Sequence, residues 1–186
     1  VMKKEFLDLG RQPIANKFLK EDEFKDEFFF DLKVVFDEDT KLVSLKEFVK
    51  PELMFNEDYA YNTSMSTPMV EHFANTAEEL KAYRKDVGYP LKKVLEIGSN
   101  DGTFIKNFSR EDSVCVEPCG NFAEYTNKEL EYKTYPEYWT TELSEEIKSS
   151  YGKFDLIYAA NCICHIQDLD DAFNAVRELL SPSGVF

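Results

Sequence analysis

Residues 96–102 read Glu-Ile-Gly-Ser-Asn-Asp-Gly, two carboxylates, one amide and two glycines in a single short stretch. Gly98 and Gly102 let the backbone approach a bound molecule closely, because no Cβ stands in the way. Glu96 and Asp101 are carboxylates placed to hydrogen-bond an ammonium or a ribose, and Asn100 stands between the glycines. Val94, Leu95 and Ile97 form a short apolar run before Gly98, and Phe104, Ile105 and Phe108 resume at helical spacing. Strand, glycine turn and helix together open a nucleotide-binding α/β sheet. A dinucleotide fingerprint requires G-x-G-x-x-G; counted from Gly98, its second and third places hold Asn100 and Thr103, so that reading fails twice. The second strand, Val114-Cys115-Val116, ends in Glu117, at the separation of about 20 residues expected of an acid that binds a ribose hydroxyl. E-x-G-x-N-D-G with this downstream Glu points to S-adenosylmethionine (SAM) rather than NAD. The bland alternative, an ordinary tight turn at Gly98 and Gly102, leaves Glu117 unexplained.

Two further residues belong to the same edge of such a sheet. Asn161 follows the fourth strand, where a polar side chain can face a sulfonium. His165 lies four residues on, at the carboxyl ends of the strands where ligands of open α/β sheets bind. His72 falls within a helix and reads as a surface or packing histidine.

The elements that position these residues alternate in the doubly wound manner from Leu91 onward. Strands are predicted at 93–97, 113–117, 132–135 and 154–160, and helices at 121–130 and 141–149. Asp168 caps a last helix lined by Leu169, Ala172, Phe173, Val176 and Leu180. Ser181-Pro182-Ser183-Gly184 ends that helix, and Val185-Phe186 starts a fifth strand. Before the sheet, Thr67 caps a helix from Pro68 to Val87, and the capping-box spacing of Thr76 and Glu79 allows a break near Asn75. Residues 1–60 differ. Residues 6–16 read as a turn-forming stretch, and Leu32, Val34 and Phe36 place three apolar side chains on one strand face. A polar connection at 37–41 leads to a return strand at 42–45. The expected class is therefore α/β, an incomplete Rossmann-like sheet in residues 91–186. A small β-rich domain (1–60) and a linker with a helix (61–90) precede it.

Composition narrows the partners. A net charge of −14 over 186 residues argues against a nucleic-acid backbone or an anionic membrane as main partner. No apolar run approaches the ~20 residues of a membrane helix, and no signal peptide is visible, which predicts a cytoplasmic protein. Cys115, Cys119, Cys162 and Cys164 have C-x3-C and C-x-C spacing, not that of a zinc knuckle, and read as reduced thiols.

Several stretches resemble the deoxysugar C-methyltransferases. LDLGRQPIANKF (7–18) is similar to that family's N-terminal signature, LVSL (42–45) to its following strand, and DYAYNTSMS (58–66) with His72 to its linker. EIGSNDG (96–102) resembles its SAM loop, and AANCICHIQDL (159–169) its segment after the fourth strand. The resemblance implies SAM-dependent methylation of a carbon in a nucleotide-linked keto-sugar. A base would remove the proton beside the ketone, and the enolate would take the methyl group. It also implies a tyrosine near the active site, here Tyr61, which with His165 makes the catalytic pair expected of this chain. The family's Glu-His base pair would lie beyond Phe186, so the chain reads as a fragment. The family's N-terminal domain carries zinc on paired C-x2-C units. Here Asp37 and Thr40 stand at the second pair's places and nothing supplies the first, so no metal is expected. Two other readings remain at this point: a SAM-dependent enzyme acting on another small molecule, and a non-catalytic SAM-binding or partner-binding fragment.

Overall fold

The computed structural model describes residues 3–186, and the chain divides into two compact units, residues 1–60 and 61–186. The first holds a three-stranded antiparallel sheet of β1 (Lys3–Pro13), β2 (Phe29–Asp37) and β3 (Val43–Leu45), in the order β1-β2-β3. The expected turn stretch at 6–16 is thus largely strand. Its β1–β2 register shifts twice, between Glu5 and Leu7 and between Asp8 and Arg11, which obscures the two-residue alternation that marks a strand in sequence. Leu32, Val34 and Phe36 do not form the buried face. Val35 and Asp37 are the fully buried positions of β2, and the other three stay half-exposed. So small a sheet leaves most of its side chains at least partly exposed.

The second unit opens with a 3₁₀ turn at Thr63–Met65 and α1 (Thr67–Asp86). Thr67 is the first helical residue, with Ser66 preceding it and Pro68 in the first turn. The helix runs unbroken through Asn75. Thr76 does not cap a new start, since its hydroxyl donates back to the His72 carbonyl, 2.9 Å away.

Parallel strands β4 (Val94–Ile97), β5 (Ser113–Val116), β6 (Lys133–Tyr135), β7 (Phe154–Ala159) and β8 (Leu180–Val185) form one sheet in the order β6-β5-β4-β7-β8. α2 (Gly120–Lys128), α3 (Thr141–Tyr151) and α4 (Leu169–Leu179) connect them. β4 sits at the centre and all four of its residues are buried, as expected of a strand covered on both faces. Leu95 and Ile97 pack with Val114, Ile157 and residues of α3 and α4 on one face. Val94, Cys115 and Leu156 pack with Phe73, Ala77, Phe104 and Ile105 on the other.

Two expectations shift. After the glycine turn only a 3₁₀ turn forms, at Ile105–Asn107, where a full helix was expected. Phe104, Ile105 and Phe108 do turn inward: Phe104 stacks on Tyr158 with centroids 3.7 Å apart and lies close to Phe108. The Asn107 amide donates to the Phe104 carbonyl at 2.8 Å, occupying an acceptor that a continuing helix would need. β8 starts at Leu180, so Ser181–Gly184 lies within the strand. Its pairing with β7 is irregular between Phe154 and Leu156, which accommodates a proline at a sheet edge.

Candidate functional site

Three loops converge at the carboxyl ends of β4, β5 and β7. The first, 98–104, leaves β4 at Gly98 (φ +68°) and passes Asn100 (φ +49°) and Gly102 (φ +73°), all left-handed. A Cβ at position 98 would stand 2.7 Å from Cys162 Cβ, so this glycine is required by the close approach of the loop after β7. Cys162 Sγ also donates to the Ile97 carbonyl at 3.1 Å, joining the two loops.

Glu96 points into the face that holds Ile105, and its Oε2 accepts the Ile105 N–H at 3.0 Å. Burial pushes its carboxyl well above the ordinary value; that N–H opposes the shift, and the neighbouring Glu117 and Asp101 add to it. Glu117 ends β5. Its Oε2 accepts the Asn100 N–H at 2.6 Å and its Oε1 the Cys119 N–H at 2.9 Å. Burial raises its pKa as well, with both N–H donors opposing. Each carboxylate therefore shapes a turn: Glu96 the exit of the glycine loop, Glu117 its apex.

Asn100 and Asp101 face residues that the sequence reading did not single out. Asn100 Oδ1 accepts from the Thr63 N–H at 2.9 Å and from the Thr63 hydroxyl at 3.0 Å. Its Nδ2 donates to the Tyr61 carbonyl at 2.9 Å. Asp101 Oδ2 accepts the Ser64 N–H at 2.8 Å, and its Oδ1 accepts the Thr103 hydroxyl at 2.6 Å. Tyr61 is thus brought to the glycine loop through its own carbonyl. Thr63 and Ser64 escaped notice because two of these three bonds use backbone N–H groups, which carry no residue signature.

Asn161 (φ +56°) and His165 lie on the loop after β7, both exposed, with His165 ending a 3₁₀ turn at Ile163–His165. His72 is exposed on α1, its ring 5.4 Å from that of Phe73. Cys115 and Cys119 are buried, and burial raises both thiols; it pushes Cys162 up to about 12, with Glu96 adding to the effect.

Fold and loop chemistry together define a class. Residues 95–186 match the family model of a methyltransferase domain, and residues 2–55 one described as "Putative zinc binding domain". The parallel sheet is that of SAM-dependent methyltransferases, and SAM is the cofactor this domain implies. Over 97% of its length the chain is 29% identical to the C-methyltransferase NovU of Streptomyces niveus, and it spans 43% of that protein. The plantazolicin methyltransferase BpumL, in complex with a triazolic desmethylPZN analog and SAH, superposes on 63% of this chain and 45% of its own. The TM-score is 0.50 and the identity 14%, a likeness of fold.

The residues fit SAM. A carboxylate follows β5 beside a loop with two left-handed glycines, an acceptor for ribose hydroxyls next to backbone that a ligand can approach closely. Zinc is a different matter. Residues 1–60 contain neither cysteine nor histidine. Asp37 Oδ1 accepts the N–H groups of Asp39 (2.9 Å) and Thr40 (3.2 Å), and these bonds lower its pKa. With no thiolate or imidazole available, the set does not fit a tetrahedral zinc site. No helix among the described residues is long and apolar enough to cross a membrane.

Proposed function

We infer that this protein takes part in SAM-dependent C-methylation of a small molecule, a nucleotide-linked keto-sugar, through an enolate. The observation that supports it most is similarity to a C-methyltransferase over 97% of this chain, with a glycine loop and an acid just after the second strand at the carboxyl edge of the sheet. Gly98, Gly102 and the loop backbone would hold the methionine part, Glu117 the ribose, and Asn161 would face the sulfonium. Glu96 holds the loop's exit in place. Bound, SAM supplies an electrophilic methyl group for the acceptor's enolate carbon. His165 and Tyr61 stand on the acceptor side. Either can donate a hydrogen bond to the enolate oxygen, a role in which preorganised donors stabilise developing charge. The acidic surface and a small-molecule acceptor are compatible, since one pocket built from backbone N–H groups suffices for a phosphate. The protein would act in the cytoplasm.

Calorimetric titration with SAM tests the cofactor half. Saturable binding is expected, weakened by about 10-fold or more in Glu117→Ala, the loss of one or two charge-assisted hydrogen bonds. Equal affinity in that variant, or preference for NAD, would refute it. For the acceptor half, labelled-methyl transfer to nucleotide-linked keto-sugars is measured with the purified protein. Transfer only to other small acids would exclude the sugar.

A further inference from the structure

We propose that Asn100 and Asp101 are positioning residues, a two-point clamp that fixes Tyr61–Ser64 onto the cofactor loop. The inference rests on reading that loop as the SAM site and Tyr61 as an acceptor-side residue. Three hydrogen bonds join the Asn100 amide to Tyr61 and Thr63, and one joins the Asp101 carboxylate to Ser64. These partners lie 37 to 39 positions away along the chain. Thr63 is buried at 8% exposure and Asp101 at 6%, so water competes poorly for these bonds.

Position 100 needs two properties at once. Its φ of +49° favours Gly, Asn or Asp. Its side chain must accept from Thr63 and donate to Tyr61, which among those three only the amide of Asn can do. Glycine would suit the backbone and lose the clamp; aspartate would set a carboxylate against the Tyr61 carbonyl. Asn100 also donates its own N–H to Glu117 Oε2 at 2.6 Å. A ribose held by Glu117 therefore acts on the residue whose side chain holds Tyr61 and Thr63. Cofactor binding and the order of the 61–64 segment become one equilibrium, so the acceptor-side tyrosine is set when the cofactor loop is set.

Hydrogen exchange of the 186-residue chain tests this, using Asn100→Gly and Thr63→Val, with melting temperature confirming that each is folded. Without ligand, the Thr63 and Ser64 amides should exchange about 10-fold faster in Asn100→Gly, the equivalent of one or two net hydrogen bonds. Thr63→Val, which loses only the hydroxyl contact, should show a smaller acceleration. Saturating SAM should slow exchange across 61–64 in the wild type and leave it unchanged in Asn100→Gly. Equal exchange in the unliganded proteins overturns the clamp. So does equal slowing by SAM in wild type and variant. If the wild type does not bind SAM, the proposed function fails, and the unliganded comparison still decides the clamp.

Discussion

Glu96 lies mid-strand in β4, where both sheet faces are covered, so the packing that orients its carboxylate towards the Ile105 N–H also strips it of water. Its raised pKa means that the folded state binds a proton the unfolded chain has released. Stability contributed by the protonated group is present below the ordinary value of 4.5 and is lost as pH rises towards the folded-state value. Glu96→Gln keeps an acceptor for Ile105 and removes the charge. Relative to wild type, its melting temperature should fall less between pH 4.5 and 8, with Glu117 leaving a residual slope of the same sign. Identical pH profiles for the two proteins would contradict the burial of Glu96. Gly98 makes a steric prediction. Gly98→Ala meets both a left-handed φ and Cys162 Cβ, and should lose about 2–4 kcal/mol in denaturant unfolding. Pairing it with Cys162→Gly should recover the steric part and leave about 1–2 kcal/mol of backbone cost. Cys162→Ala should recover little, because the clash is with the β-carbon.

At the scale of elements, α3 and α4 begin together. Asp168 Oδ1 accepts the Asp171 N–H at 2.9 Å, closing the first turn of α4. Asp171 Oδ2 accepts the Thr141 N–H at 3.1 Å, at the start of α3. Thr140 caps α3 through the Leu143 N–H, and Trp139 donates to the Ala172 carbonyl at 3.0 Å. Asp168→Ala should therefore cost about 1 kcal/mol, the usual worth of a cap. Asp171→Ala should cost more, because it uncouples the two helix starts. Equal losses by urea unfolding would show that the Asp171–Thr141 contact carries no energy.

Over the whole molecule the two units differ in how they are held. Residues 61–186 enclose a two-faced core, whereas Ile14 and Val35 are the fully buried apolar side chains of the described residues before 61. Phe6, Leu9, Phe18 and Phe24 in that unit are each at least half-exposed. So small a core stabilises little by itself, and domains of this size often need a metal or disulfide. Asp37 instead gathers the β2–β3 turn through two backbone N–H groups. Zinc by elemental analysis should be well below one equivalent, and EDTA should leave the melting profile unchanged. Calorimetry should show two transitions, residues 1–60 losing exchange protection first. Stoichiometric zinc that survives dialysis would overturn the metal-free reading.

Local chemistry in the sequence was enough for the glycine loop, the acid at Glu117, the Asp168 cap and the alternating strands and helices. Each of these depends on neighbours within a few residues or on burial of a continuous apolar run. The class of cofactor followed from the same stretch, because a turn that admits a ligand and an acid after the next strand are both local patterns. Only the tertiary structure decided what the polar side chains of the loop touch. Asn100 and Asp101 read as ligands of a cofactor, yet they meet a segment almost forty residues earlier in the chain, through backbone groups invisible in sequence. The missing helix after Gly102 and the strand at 3–13 have related causes. Asn107 diverts an acceptor that helical spacing assumed free, and register shifts in β1 break the alternation that names a strand. Periodicity records which side chains seek burial; the competition of side chains for backbone groups is settled only when distant segments meet.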